Sequence, residues 1–563
     1  MRLWPRVTSA WIVVAALFAV TVLVTWPLAR QLNSAFPGDY GDPVFVAWVI
    51  GWVGGKLTEA IRNPAALSTL WDANIFHPEP GTLAFSEHFI GQTVMVLPVY
   101  WLTGNLTLAY NIAFLASFVL TGLGTFLLTR ALTGSVWGAA LAAAVASFNE
   151  YRLVYEVAHL HVLSIHWLPF VLLALHRYFE TDARRYVLYA AAALIALNYS
   201  SVYYVAYCAP FVALFALVEM VRWRRVTALR VWLELWAAAA LVAVATLPVL
   251  VPYFEVQRRL GIERPIEEVV RYSATLGQYR TALPGMMTAL IVAAIGVFGL
   301  AMVRSVRLRW AVSISLALLF LSFWLSLGPA PDGGAATGWP GLYALFYDYV
   351  PGYRGLRVPS RFAALFFIFL GVLAGAGIAV LEARWRLTAR AVAIGALVVF
   401  VALASPDAMP LDRPLPSEGL APPPSYLTPA AELPPLYRTV SSLRPDAVLV
   451  EFPFGDPWYD LRYMYFAATH RRRLHNGYSG IFPPSYLARQ QVLGQPARDP
   501  PRAVAAIAGA THAIVHPAAW PNDTGKVIRG WLDSLGATLI AEVDGAAVYE
   551  LPVQEALARV VQK

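Results

Sequence analysis

Long apolar runs follow one another along the chain, many of them near the roughly 20 residues needed to cross a bilayer. They predict helices near residues 11–29, 106–129, 135–149, 160–178, 186–199, 201–221, 230–252, 284–303, 309–327, 360–381 and 389–405. Runs 43–60 and 89–103 are apolar but interrupted, and read as helices lying along the membrane interface. After residue 405 the pattern changes. The stretch 406–436 is rich in proline and reads as a linker. Beyond it VLVEFPF, THAIVHP and ATLIAEV alternate with the helix-like PRAVAAIAGA and VIRGWLDSLG, which predicts a small α/β domain over 437–563.

Composition agrees. The chain has 563 residues, 58% hydrophobic and only 13% charged, about half the charged fraction of a soluble protein. The expected fold class is an α-helical polytopic membrane protein of about eleven transmembrane helices with a small C-terminal α/β extracytoplasmic domain. The expected divisions are 1–405 for the membrane domain, with an outer loop at 30–105, then the linker 406–436 and the domain 437–563. The single cysteine, Cys208, excludes an intramolecular disulfide framework and a cysteine-based zinc site. Arg2 and Arg6 precede the run Trp11–Leu28 as in a signal peptide, but the run is long and no small-x-small site follows, so it reads as an uncleaved first helix.

The net charge of +8 comes almost wholly from arginine, and topology accounts for it. With eleven crossings and a cytoplasmic N-terminus, the inner connections carry Arg130; Arg177, Arg184 and Arg185; Arg222, Arg224, Arg225 and Arg230; Arg304, Arg307 and Arg309; and Arg384, Arg386 and Arg390. These connections are short and basic, as the positive-inside rule requires. A crossing at 89–103 would invert the pattern from Arg130 onward. The basic charge therefore implies membrane lipids and no nucleic acid as partners, and the C-terminal domain falls outside. The inner connections show no cluster of acids, so chemistry is expected on the outer face.

The first outer loop opens on FPGDYGDPVFVAW, residues 36–48. Asp42 ahead of Pro43 suits a helix N-cap, and Asp39 suits a turn. Alternatively, a carboxylate here deprotonates an acceptor hydroxyl, or the two acids share a divalent ion. Glu87 lies in the same loop, beside His88. The second outer loop supplies Glu156, His159, His161 and His166. On one helix, His159 and His166 share a face with Glu156 near it, and His166 sits within an apolar run, where a titratable group faces a cavity or a partner. These four, Glu87, Glu156, His159 and His166, are the expected substrate-cavity residues.

Arg354, Arg357 and Arg361 are spaced by three and four, and Pro359 opens a helix whose N-terminus faces outward. Its unpaired N–H groups and the forked arginine donors suit a phosphate; the competing reading is contact with lipid headgroups. In the C-terminal domain, His475, Asn476 and Tyr478 suit a sugar acceptor bound by hydrogen bonds and ring stacking. The competing reading there is an Asn476-Gly477 turn on a solvated basic face.

The order of a cytoplasmic N-terminus, one helix, an acidic outer loop, interfacial helices and many short helices resembles the GT-C class of integral-membrane glycosyltransferases. The blocks LRVPSRFAALFFIFLGVLAGAGIA and HRRRLHNGYSGIFPPSY look like a bacterial subgroup with an outer C-terminal domain. The resemblance implies an inverting transfer of sugar from a polyprenyl-phosphate-linked donor to a glycan, lipid or protein acceptor in the cell envelope, at the outer face of a bacterial inner membrane. It implies Asp42 as base with Asp39 as helper or alternative, and a lipid-phosphate donor is what the phosphate reading of Arg354, Arg357 and Arg361 would serve. Asp42-Pro43 stands where many members have Asp-Glu, which leaves the use of a divalent metal ion open. A lipid-linked saccharide transporter or flippase would want mid-membrane polar groups and internal repeats, which are not seen. A non-catalytic envelope scaffold would not need acids and arginines facing one compartment.

Overall fold

The computed structural model describes residues 7–330, 341–404, 408–417, 419–423, 427 and 432–552. Arg2, Arg6, parts of the proline-rich stretch (405–407, 418, 424–426 and 428–431) and the end of the C-terminal domain (553–563) lie outside the described residues. The chain forms two compact units. One comprises Met1–Ala29, Phe114–Val251 and Gly261–Met409; the other comprises Arg30–Ala113, Pro252–Leu260 and Pro410–Lys563.

Each of the eleven expected crossings is a helix, and the protein is an integral membrane protein. Among the described residues, eight helices are long and apolar enough to cross a bilayer: Leu106–Thr133, Leu160–Thr181, Tyr203–Arg222, Leu229–Leu260, Gly285–Met302, Val306–Ser326, Pro359–Glu382 and Arg386–Leu403. The apolar helix Trp11–Val24 and the helices Val136–Ser147 and Arg185–Ser200 are shorter.

The first unit is built around the helix Ala363–Glu382, which is apolar on every side and buried from Ala363 to Val380. A helix with no polar face belongs inside a bundle. Its neighbours approach closely because small residues line the contact. A Cβ on Gly138 would lie 2.2 Å from the Gly375 carbonyl oxygen, so neither helix can come this near with a side chain there. By contrast, only 22% of the apolar window of Arg386–Leu403 is buried, which leaves that helix free to face lipid. The basic connections are not bare charge, because Asp182 and Glu234 pair with their arginines. Arg184 Nε meets Glu234 Oε1 at 2.6 Å, Arg225 Nη1 meets Asp182 Oδ1 at 2.6 Å, and Arg230 Nε meets Glu234 Oε1 at 2.8 Å.

The second unit joins the first outer loop to the C-terminal sheet. Five strands, β1 (Val448–Phe452), β2 (Arg473–Leu474), β3 (His512–Val515), β4 (Thr538–Val543) and β5 (Ala546–Glu550), run in the order β2-β1-β3-β5-β4. β2, β1 and β3 are parallel, while β3, β5 and β4 are antiparallel. β1 (VLVEF) and β3 (HAIV) are buried throughout, in keeping with their mostly apolar sequences. Residues 74–77 of the first loop run along the sheet edge: Leu474 N donates to Asn74 O at 2.9 Å, and His77 N to Leu474 O at 2.8 Å. The Asn74 side chain donates to the carbonyls of Ala467 and Arg472, both at 3.0 Å.

Two expectations change here. The helix Asp42–Ala60 is buried over residues 43–54 and packs against the helix Pro457–His470, where a Cβ on Gly51 would meet Ala468 Cβ at 2.8 Å. Its apolar residues are spent on a protein core and not on an interfacial lipid layer. The stretch 410–413, expected as part of a tether, pairs with residues 36–40. Gly38 N donates to Pro410 O at 2.8 Å, Arg413 N to Gly38 O at 3.0 Å and Tyr40 N to Arg413 O at 3.1 Å. A free tether forms no such ladder, so the compact units do not follow the division at 405 and 437.

Candidate active site

In the second unit, the acidic loop is held from both sides. Phe36 N donates to Asp412 Oδ1 at 2.8 Å, and Asp39 Oδ1 accepts from Gly41 N at 2.8 Å, closing an Asx turn. Gly41 is the N-cap of the helix Asp42–Ala60, and no side chain caps it. Asp42 is thus the first residue of the helix, followed by Pro43, and its carboxylate is not the cap expected from sequence. Both aspartates are half-buried. Tyr110, a buried neighbour, lies within electrostatic reach of both carboxylates. Beside them, burial and the Asp412 charge push the Tyr40 hydroxyl up, and burial raises the Asp412 carboxyl against the bonds it accepts from Phe36 and Tyr40. Glu87 is buried elsewhere in this unit.

The first unit assembles the arginine segment. The alternate carbonyls of Leu356, Val358 and Ser360 accept from the hydroxyls of Tyr343, Tyr207 and Tyr151 at 3.2, 2.9 and 3.4 Å. Each arginine lies over a further tyrosine ring: Arg354 over Tyr347 at 5.9 Å, Arg357 over Tyr272 at 5.1 Å and Arg361 over Tyr203 at 5.1 Å. They differ in what remains free. Arg354 is exposed, and Arg357 sits 3.8 Å from Glu268. Arg361 is partly buried, its Nε makes no hydrogen bond, and Glu156 is the acid nearest in charge. Pro359–Phe362 form a single tight turn leading into the long buried helix.

Glu156 and His159 come together, with Nδ1 and Oε2 2.9 Å apart. Burial pushes the Glu156 carboxyl up, but His159, the Arg361 charge and the Tyr151 hydroxyl outweigh it and hold it below the usual range. His159 and His166 do not share a helical face. Residues 151–155 form a wide π turn, Leu160–Leu163 a short helix, and a new helix starts at Trp167. His166 lies beside the charge of Arg152 instead. Arg152 is itself buried, held by Ser117 Oγ at 3.2 Å, Leu163 O at 3.1 Å and the Phe118 ring at 4.8 Å. It was not singled out from sequence, nor were the tyrosines that frame the arginines.

In the C-terminal region, Asn476 is fully buried and not in a solvated turn. Its Oδ1 accepts from Glu451 N at 2.8 Å, and its Nδ2 donates to Glu451 O at 2.9 Å and Asp460 Oδ1 at 2.8 Å. The amide is spent inside the protein, which makes it a cross-tie between β1 and the helix Pro457–His470 and leaves it no donor for a sugar. His475 is fully buried against His77, their rings 6.1 Å apart and nearly parallel. Tyr478 is half-buried, edge-on to Phe45 and Phe482.

Among the described residues, no group of three or more His, Cys, Asp or Glu side chains is placed to hold a metal ion. The pair Asp39 and Asp42 supplies two carboxylates, so a divalent ion there would draw the rest of its oxygen shell from water, backbone carbonyls or substrate.

The sequence matches no protein-family model and no curated protein. Solved structures do match. The arabinofuranosyltransferase AftD from Mycobacteria, in a point-mutant form, aligns with a TM-score of 0.54 at 15% identity, over 97% of this chain and 42% of that one. The chain thus spans less than half of that protein's length. ArnT from Cupriavidus metallidurans bound to undecaprenyl phosphate aligns at 0.46 with 14% identity, over 97% of this chain and 98% of that one. An oligosaccharyltransferase from Archaeoglobus fulgidus aligns at 0.46 with 12% identity, over 91% and 70%. The likeness to AftD defines the fold: this chain has the architecture of the GT-C membrane glycosyltransferases, with a small C-terminal sheet region.

Proposed function

We propose that the protein is an inverting glycosyltransferase that moves a sugar from a polyprenyl-phosphate-linked donor to an acceptor in the cell envelope. It acts on the extracytoplasmic face of a bacterial inner membrane, with its N-terminus in the cytoplasm. The observation that carries this reading is Asp42. In a chain with the GT-C fold, it is a half-buried acid at the first position of a buried helix, three residues after Asp39 in the first loop. Asp42 takes the proton of the acceptor hydroxyl as that oxygen attacks the anomeric carbon from the face opposite the phosphate. The bond from anomeric carbon to phosphate oxygen breaks, and polyprenyl phosphate leaves with the electron pair. Asp39 steadies the loop through its Asx turn.

The leaving phosphate gains charge and needs donors. Arg361 is the best placed of the three arginines, with an uncommitted Nε on a segment whose backbone is fixed by tyrosine hydroxyls. Arg357 and the exposed Arg354 contribute outward of it. The charge of Glu156, itself paired with His159, lies within electrostatic reach of Arg361. The test is turnover of a synthetic polyprenyl-phosphate sugar by the purified protein. Release of polyprenyl phosphate that is lost in Asp42→Asn supports the reading, and an inert wild-type protein that only moves the lipid across vesicles replaces it with a transporter.

A further inference from the structure

The second unit contains a cleft that no step above uses. It has a volume of about 480 Å³ and is lined by Asp412, Leu415, Ser417, Leu420, Pro423 and Trp458, among others. A narrower recess beside it is lined by Tyr40, Val44, Trp458 and Arg462, and Tyr40 and Val44 flank Asp42 in sequence. The recess, which shares Pro423 and Trp458 with the cleft, therefore borders the segment that bears the proposed base.

Its place in the sheet matters. β1 lies between β2 and β3, so the chain reverses direction across the sheet at the carboxyl ends of β1 and β3. In open α/β sheets, ligands bind at such a point. Ser417 and Ala421 are both tied to this end. Ser417 Oγ donates to Asp456 Oδ2 at 2.6 Å, just after β1, and Ala421 N donates to Ala519 O at 2.7 Å, after β3. Tyr459 OH donates to Ala421 O at 2.8 Å.

The chemistry selects the ligand. In a nucleotide-binding sheet, the helix N-terminus here would take a phosphate. In this protein it is filled by Asp456, whose Oδ1 accepts from Trp458 N and Tyr459 N, both at 3.1 Å. With Asp412 on the wall as well, the cleft disfavours anions. What remains is an apolar wall, a large aromatic ring nearly parallel to Tyr40 (centroids 6.3 Å apart, 23° between planes), and a few polar groups. That combination suits a pyranose or furanose ring, with apolar C–H faces and hydroxyl edges.

We propose that this cleft holds an uncharged sugar unit of the acceptor, seated against Trp458 and hydrogen-bonded by the Asp412 and Ser417 side chains. The proposal rests on the glycosyltransferase reading, since it takes the acceptor to be a glycan and not a protein or a bare lipid. The acceptor role expected of His475 and Asn476, both buried, passes to Asp412, Leu415, Ser417, Leu420, Pro423 and Trp458.

The experiment uses the full chain in lipid nanodiscs. Saturation-transfer NMR measures binding of maltotriose, mannotriose, cellotriose and xylotriose, with digalacturonic acid as an acidic probe. At least one neutral trisaccharide should bind, and digalacturonic acid should not. Trp458→Ala should weaken binding about tenfold, with Trp458→Phe restoring part of it. Leu420→Arg, at a half-buried position on the wall, should block the cleft without disturbing the core. Hydrolysis of a polyprenyl-phosphate sugar to water, without acceptor, is measured alongside on the wild-type protein. Binding of none of the neutral sugars, tighter binding of the acidic one, or binding blind to both Trp458→Ala and Leu420→Arg overturns the proposal. Sugar binding that depends on Trp458 in a protein with no donor hydrolysis would keep the cleft and remove the transferase reading. Donor hydrolysis with no cleft binding would do the reverse.

Discussion

The backbone N–H of Phe36 donates to the carboxylate of Asp412 at 2.8 Å, joining two points 376 residues apart in sequence. This bond and the ladder between 36–40 and 410–413 hold the loop that presents Asp39 and Asp42. The proline-rich stretch is therefore part of the loop's scaffold. Proline suits that position, because each ring fixes φ and lowers the entropy lost on ordering the segment.

Asp412→Ala should loosen the acidic loop. It leaves the buried Phe36 N–H without an acceptor, at a cost of about 1–3 kcal/mol. Hydrogen exchange over 36–42 should rise, while Asp412→Asn, which keeps an acceptor oxygen, should stay near wild type. Equal protection in Asp412→Ala and wild type would show that the bond does not hold the loop.

Cutting the chain after residue 405 should unfold the first outer loop as well as removing the C-terminal sheet. The helix Asp42–Ala60 keeps Val44–Val53 in a core that includes the helix Pro457–His470. Without that partner its buried apolar side chains face water. Limited proteolysis of the truncated protein should cut between 36 and 80. A truncate that resists cutting there and still binds polyprenyl-phosphate sugar would mean that the first loop folds by itself.

Much of this was legible in the sequence, and what was not has physical causes. The eleven helices follow from apolar length, and β1, β3 and β4 follow from VLVEF, HAIV and TLIAEV. β2 is two residues long, and β5, AAVYE, is short and alanine-rich, so neither stands out. Run 43–60 is apolar whether it faces lipid or protein, and only the helix that covers it decides. The Asn476-Gly477 pair carries the strongest short turn signal known, yet Glu451 and Asp460, distant in sequence, draw the amide inward. The tyrosines that frame Arg354–Arg361 are scattered over 200 residues and look like an interfacial belt. Asp39, Asp42 and the arginine spacing were visible at once because they are local.

Among the arginines, Arg361→Lys should weaken donor binding most and Arg354→Lys least. Lysine keeps the charge but loses the fork, and each lost charge-assisted contact costs about 1.5–3 kcal/mol. Arg361 has an uncommitted Nε, whereas Arg354 is exposed over Tyr347. Calorimetry with a short-chain polyprenyl-phosphate sugar reads the order directly. Identical affinity in all three variants would assign the arginines to lipid headgroups.

The C-terminal domain should lose stability between mildly acidic and neutral pH through Asp460. Burial raises its carboxyl to about 7, against the bonds it accepts from Tyr486 at 2.6 Å and Asn476 at 2.8 Å. The unfolded value is about 3.9, so between these values the folded chain holds a proton that the unfolded chain releases. The contribution is complete below about pH 4 and declines as pH rises towards 7. The buried His470 and His475, both lowered by burial, act in the opposite sense as pH falls. The test is therefore the difference between wild type and Asp460→Asn. The thermal midpoint of the variant, relative to wild type, should be higher at pH 8 than at pH 5. A constant difference across that range would show that Asp460 is ionised in both states.

The most direct measurement is release of polyprenyl phosphate from a synthetic polyprenyl-phosphate sugar by the purified full-length protein, compared between wild type, Asp39→Asn and Asp42→Asn. The amide has the shape of the carboxylate and keeps an acceptor oxygen, so Asp42→Asn should leave the thermal midpoint near wild type while removing the base. General-base loss lowers turnover by about 10²–10⁴-fold. Asp39→Asn, which keeps the acceptor for Gly41 N, should slow turnover much less. A well-folded Asp42→Asn protein that releases polyprenyl phosphate at the wild-type rate would contradict the account at its centre.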